Sequence, residues 1–285
     1  MWSPLLGLSF DLIAFAPYPE LMNQIRKKSL MRSSLWVLLS SSLAFSVISC
    51  STTSTKQLSK TERARLLVEV AGGALTEGDV VGALQHLANA EELDSQLAEL
   101  HHMKALAYHA KGEPKTALQE AQKAVSISPT LSNANNTLGK LLLDDNQYTQ
   151  AEHFLNQAAN APLNREAYKA LTNLGILNYR RKDYAKAGKF FDRAIQASQT
   201  EACIAFYYKG HLALKEGQLK DAVIQYRHAS NRLCSSFAEA HLALAKVYQR
   251  NGQFDLARRK YLEIQQQFNS TQYAQEAIDH LKNLP

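Results

Sequence analysis

The sequence is poor in the residue patterns from which catalytic and metal centres are assembled. Its 285 residues include nine histidines, yet none falls in a His-Glu-x-x-His motif and none has a second histidine four residues away. His101 and His102 are adjacent, so they diverge on a helix. There is no glycine-rich phosphate loop, no Gly-x-Ser-x-Gly elbow and no cysteine–histidine nucleophile arrangement. Carboxylates are plentiful but scattered, and these absences together argue against an enzyme, a metal or a cofactor. Long apolar runs are also missing. The clearest, Leu35–Ile48, has 14 residues, where a membrane span needs about 20. Nor does one sign of charge dominate. The formal charge is +6, but four basic and two acidic residues precede residue 50, and the other 28 basic and 24 acidic residues are mixed along the chain. No lysine or arginine stripe with interleaved aromatics appears, which argues against a nucleic-acid partner. Cysteine is scarce: only Cys50, Cys203 and Cys234.

What is present is a repeat. Tyr168–Tyr179 and Tyr184–Ile195 carry apolar residues at helical spacing and flank a polar break at Arg180–Asp183. That pattern predicts a helical hairpin. Gly175 on the first helix and Ala187 and Ala194 on the second let the backbones approach, while Leu171, Leu174, Tyr184 and Phe191 fill the remaining space. The small residue opening the second helix recurs at Ala83, Ala117, Ala151, Ala187, Ala222 and Ala257, in steps of 34, 34, 36, 35 and 35. A second small residue follows seven later, except in the last copy, where it is Ile264. Another lies twelve earlier, at Ala71, Ala105, Gly139, Gly175, Gly210 and Ala245.

The pattern Leu-x2-Leu-Gly, then Ala-x3-Phe-x2-Ala, resembles the tetratricopeptide repeat. The resemblance implies an all-α fold, a right-handed superhelix of six helix-turn-helix units closed by a capping helix. No single hairpin buries its apolar face alone, so each packs on its neighbours. The units read as Ala64–Leu97, Ala98–Leu131, Ser132–Arg165, Tyr168–Ala202, Cys203–Phe237 and Ala238–Ser270. In domain terms, residues 63–270 form the repeats and 271–285 the cap.

The front of the chain has another character. Arg26, Lys27, Lys28 and Arg32 precede the apolar run, which ends Val47-Ile48-Ser49-Cys50. This resembles a bacterial lipobox, and residues 22–49 read as a lipoprotein signal peptide. The resemblance implies cleavage before Cys50, lipid attachment to it, and a membrane anchor. In bacterial lipoproteins an aspartate after that cysteine favours inner-membrane retention. Ser51 stands there instead, implying an outer-membrane location facing the periplasm. Residues 1–21 precede the basic segment, and Pro17 and Pro19 break their apolar run; they read as a gene-model extension. Residues 50–62 read as a lipidated flexible tether.

In tetratricopeptide superhelices the first helices line the concave face, and the second, fifth, sixth, ninth, twelfth and thirteenth positions of each unit face a ligand. Here that set includes His102, Met103, Asn133, Asn136, Lys140, Asn173, Tyr179, Tyr207, Tyr208, His211 and Lys246. Phe206 occupies the core position of its turn, so Tyr207 and Tyr208 are expected to be exposed groove aromatics, suited to an extended or helical peptide; the alternative is that packing between units, or the final helix, covers them. Only fragments of a carboxylate clamp are present, so an acidic C-terminal tail is not the expected ligand.

A lipobox followed directly by six such repeats resembles the pilotin lipoproteins of type IV pilus assembly. Asn135-Asn136-Thr137-Leu138-Gly139, and the stretch from Ala161-Pro162-Leu163 to Asn173-Leu174-Gly175, resemble short segments of that family. The chain departs from it in lacking an aromatic near Leu142. The resemblance implies that the protein binds the secretin subunit, or another pilus assembly component, and helps it reach or assemble in the outer membrane. The alternative is a tetratricopeptide lipoprotein adaptor for cell-wall hydrolases or outer-membrane protein assembly. Finally, Cys203 begins the fifth unit and Cys234 follows its second helix. The two ends of an antiparallel hairpin lie side by side, the compartment implied by the lipobox is oxidising, and lipidation of Cys50 leaves an even pair. A Cys203–Cys234 disulfide is expected.

Overall fold

The computed structural model describes residues 58–285. Cys50, the signal segment and residues 1–21 lie outside the described residues. Thirteen α-helices follow one another, with no strand among the described residues: α1 (Lys60–Thr76), α2 (Val80–Leu93), α3 (Ala98–Ala110), α4 (Pro114–Ile127), α5 (Ser132–Asp144), α6 (Tyr148–Asn160), α7 (Ala167–Arg180), α8 (Tyr184–Ala197), α9 (Cys203–Lys215), α10 (Leu219–Ala229), α11 (Ala238–Arg250), α12 (Phe254–Gln267) and α13 (Gln272–Lys282). A short 3-10 turn, Arg232–Cys234, lies between α10 and α11. Successive pairs from α1–α2 to α11–α12 form six antiparallel hairpins, and α13 packs on α12 as the cap.

The first helix starts earlier than the tether expected through residue 62. The Ser59 hydroxyl accepts from the Glu62 N–H at 3.1 Å, and the Glu62 carboxylate accepts from the Ser59 N–H at 2.7 Å. This reciprocal box satisfies two donors that a helix start otherwise leaves bare. Local hydrogen bonding therefore extends the helix over residues whose apolar pattern is weak.

All six hairpin turns are built alike. Each has one residue in the left-handed region: Gly78, Gly112, Asn146, Lys182, Gly217 and Gly252. The residue after it returns its N–H to a carbonyl five back, as in Asp79 to Ala74, Asp183 to Asn178 and Gln253 to Tyr248, each at 2.9 Å. This terminates the first helix and reverses the chain. Four turns use glycine, which reaches this conformation at no steric cost; Lys182 occupies it at φ 63°.

Close approach explains the repeated small residue. A Cβ added at Gly139, Gly175 or Gly210 would lie 2.6, 2.3 or 2.5 Å from Leu155, Phe191 or Tyr226 respectively. Those three larger side chains, each four residues after the ruler alanine, are fully buried. The space a first-helix side chain would take is occupied by the second helix. Cys203 and Cys234 are joined by a disulfide, with Cα atoms 5.6 Å apart, so the ends of the fifth hairpin unit are covalently linked.

Candidate functional site

The first helices pack side by side along the inner face, and the groove positions read from the sequence lie on them. Most are engaged with each other. His102 Nε2 and the Thr137 hydroxyl are 3.0 Å apart, joining α3 to α5. Asn173 donates to Asn136 Oδ1 at 3.0 Å, joining α7 to α5. Lys140 donates to Asp144 at 2.9 Å, and Arg180 reaches Asp144 at 3.2 Å and the Leu143 carbonyl at 2.8 Å. Lys246 pairs with Glu276 of α13. Asn133 is exposed. Met103 lies half-buried at Gly72. Much of this set therefore ties neighbouring units together, and a partner reaching these side chains meets bonds already made.

The aromatic pair needs correction. Tyr207 is not an exposed groove residue: it is 8 % exposed. Its hydroxyl donates to Glu239 at 2.8 Å, and its ring lies 5.2 Å from Phe237. Phe206 is buried as well, stacked on His228 at 4.9 Å. Both neighbours find cover because Phe206 faces α10 while the start of α11 closes over Tyr207. Tyr208 is half-buried, stacked on Phe191 at 5.5 Å and edge-on to Tyr179 at 5.2 Å. Lys215 sits 4.8 Å from the Tyr184 ring and 5.8 Å from the Tyr179 ring. His211 meets Tyr207 edge-on at 4.4 Å, and its Nδ1 is 3.1 Å from the Tyr226 hydroxyl. Burial pushes the pKa of both His102 and His211 down to about 4, so both are neutral near pH 7. Burial, followed by the Glu239 carboxylate, raises the Tyr207 phenol far above its ordinary value.

One part of the inner face is open. Backbone contact between successive first helices is sparsest between α9 and α11. Between α9, α11 and α13 lies a cavity of about 320 Å³. Tyr207, His211 and Tyr226 form its floor; Leu214, Leu242, Ala243, Val247 and Tyr273 line it; Glu239, Lys246, Arg250 and Glu276 stand at its edge. The sequence reading named Tyr207, His211 and Lys246 of these residues. Leu242, Ala243 and Arg250 were omitted although they occupy the fifth, sixth and thirteenth positions of the sixth unit. Applying the positional rule evenly, without preference for aromatic and amide side chains, would have found them. The floor residue Tyr226 belongs to a second helix and carries no such positional signal.

Among the described residues no helix is long and apolar enough to cross a membrane, and no cluster of histidine, cysteine and carboxylate side chains could hold a metal ion.

Comparison with known proteins agrees with this architecture. Tetratricopeptide-repeat family models match residues 98–131 and 136–202. The type IV pilus assembly protein PilF of Pseudomonas aeruginosa is 25 % identical over 168 residues, covering 57 % of this chain and 67 % of that protein. DnaJ homolog subfamily C member 3 of Gallus gallus is 25 % identical over 203 residues, covering 67 % of this chain but 40 % of that protein. The crystal structure of PilW, a type IV pilus biogenesis factor, superposes with a TM-score of 0.63 at 20 % identity, covering 75 % of this chain and 98 % of that one. The last is a likeness of fold. The scaffold is one used for protein–protein interaction, and no catalytic family is indicated. The chain has an all-α tetratricopeptide-repeat fold and is similar, at low identity, to the type IV pilus assembly protein PilF.

Proposed function

We propose that the protein is a non-enzymatic, protein-binding lipoprotein of the pilotin kind, which helps a type IV pilus secretin subunit reach or assemble in the outer membrane. Lipid at Cys50 anchors it, facing the periplasm. The observation carrying this reading is the similarity to PilF, which runs through two thirds of that protein's length; the DnaJ homologue is matched over a smaller part of its own. A disulfide at Cys203–Cys234 is in keeping with an oxidising compartment. The groove supplies binding without chemistry: a concave, partly apolar surface that holds a subunit until it assembles.

The test is deletion of the gene followed by measurement of secretin. Loss of multimer, with monomer still present, is the expected outcome. Unchanged multimer, together with a cell-wall or outer-membrane protein defect, supports the adaptor alternative instead. Mass spectrometry of membrane-derived protein checks the anchor, with an acylated cysteine at a terminus beginning at Cys50 expected. An unmodified Cys50 in that material refutes it.

A further inference from the structure

We infer that the outer face of the last two units carries a binding site for a phosphate monoester, in the cleft between α10 and α12. The site is independent of the pilotin reading and of the inner groove. α11 turns Leu242, Ala243 and Lys246 to the groove, and Leu244 and Tyr248 to this cleft. The cleft has a volume of about 250 Å³. Arg227 of α10, with Asn231 just beyond that helix, lines one side; Leu256, Arg259, Lys260 and Glu263 of α12 line the other.

The charge of this lining is one-sided: three cations and a single carboxylate. That carboxylate, Glu263, is already matched. Lys260 donates to both its oxygens, at 3.0 and 3.1 Å, and His241 Nδ1 lies 3.3 Å from it. Arg227 and Arg259 are left over. Both are exposed, and neither makes an ion pair with any described residue; Asp255, one turn before Arg259 on α12, is not paired with it. Arg227 meets only the Tyr248 hydroxyl, at 3.3 Å. That hydroxyl accepts from the guanidinium and keeps its own proton to donate.

Two guanidinium forks on facing helices, a phenol and the Asn231 amide thus line one cleft, with two positive charges uncompensated. A carboxylate brings one negative charge and two oxygens, and leaves one fork unmatched. A phosphate monoester brings about −1.5 to −2 at pH 7 and three terminal oxygens, which matches the excess and gives each fork a pair of acceptors. The cleft is larger than a phosphate, and Leu244 and Leu256 supply an apolar wall for the carbon skeleton attached to it.

The test is calorimetric titration of the full protein, held in detergent micelles, with glycerol 3-phosphate and with propionate. Glycerol 3-phosphate is expected to bind saturably and about tenfold or more tighter than propionate. Arg227→Gln and Arg259→Gln, both exposed changes that leave the fold intact, are each expected to weaken it by about tenfold. Lys189→Gln, an exposed site on α8, removes the same charge elsewhere and leaves the affinity unchanged. Phosphatidic acid added to the micelles distinguishes the sources. If it displaces glycerol 3-phosphate where phosphatidylcholine does not, the ligand is a lipid headgroup; if neither displaces it, the ligand is a soluble phosphate ester. Absence of saturable binding, or propionate binding as tightly, overturns the inference. So does an affinity unchanged by either arginine substitution, or weakened as much by Lys189→Gln.

Discussion

Gly175 gives the sharpest test of the packing argument. Replacing it with alanine improves intrinsic helix propensity by about 0.8–1.0 kcal/mol. The new Cβ, however, would lie 2.3 Å from Phe191 Cε1, 2.5 Å from Cδ1 and 2.9 Å from Cζ. Ordinary carbon contacts are about 3.5–4.0 Å, so the ring must retreat by roughly 1 Å. It has nowhere to go: Phe191 is fully buried and stacked on Tyr208. Overpacking of this kind costs about 1–3 kcal/mol, so after the propensity gain the net expectation is a loss of up to about 2 kcal/mol. Gly73 is the control. A Cβ there meets nothing within 4 Å, so Gly73→Ala is expected to stabilise by about 0.5–1 kcal/mol. Phe191→Leu should relieve Gly175→Ala, because Ala71 and Leu87 at the corresponding positions of the first unit are both fully buried without conflict. The double mutant is then more stable than the sum of the single effects by about 1 kcal/mol or more. Urea midpoints of the four variants decide it. A Gly175→Ala protein at least as stable as the parent, or strictly additive effects in the double mutant, would refute the reasoning.

Other tests address separate parts of the molecule. Cys203→Ser with Cys234→Ser opens a 31-residue loop and should lower stability by about 3–4 kcal/mol; thiol labelling of the unfolded, unreduced parent should find neither cysteine reactive. Lys182→Gly relieves a left-handed lysine and should raise the urea midpoint by an equivalent of up to about 1 kcal/mol. Acid should destabilise through His102 and His211. Each has a folded-state pKa near 4 against an ordinary 6.5, so the unfolded chain binds more protons between those values and stability falls as pH drops from 6.5 to 4. The full effect is about 3 kcal/mol for each histidine, and His102→Gln with His211→Gln should flatten that part of the profile.

The repeat was legible because it is written in small residues whose spacing is fixed by helix contact. Ala98, Ser132, Cys203 and Ala238 each begin both a unit read from the sequence and an observed helix. Gly139, Gly175 and Gly210 announce the close approach that the structure contains. The turn at Lys182 was legible from its neighbours, although lysine carries no turn preference of its own. The groove was less so. Its bonds join residues about 35 apart, and which side chains meet depends on the rotation from one hairpin to the next, a quantity with no local sequence signal. Tyr207 was misplaced for that reason. Its own helix leaves it facing outward, and only Phe237 and Glu239 of the following unit enclose it. The gap between α9 and α11 is a similar property of two units together.

The disulfide also changes how the chain carries tension. Cys203 opens the fifth unit and Cys234 nearly closes it, so a pull along the chain enters at one sulfur and leaves at the other. The chain between them, which spans a sequence separation of 31, is bypassed. Fully drawn out, the oxidised protein is shorter than the reduced one by roughly 100 Å, at about 3.3–3.6 Å per residue. Pulling from the N-terminal side can unravel α1 through α8 helix by helix, but the hairpin holding Tyr207 and the floor of the cavity does not extend. A tethered protein loaded by its cargo would give way elsewhere along the superhelix first, with this hairpin still closed.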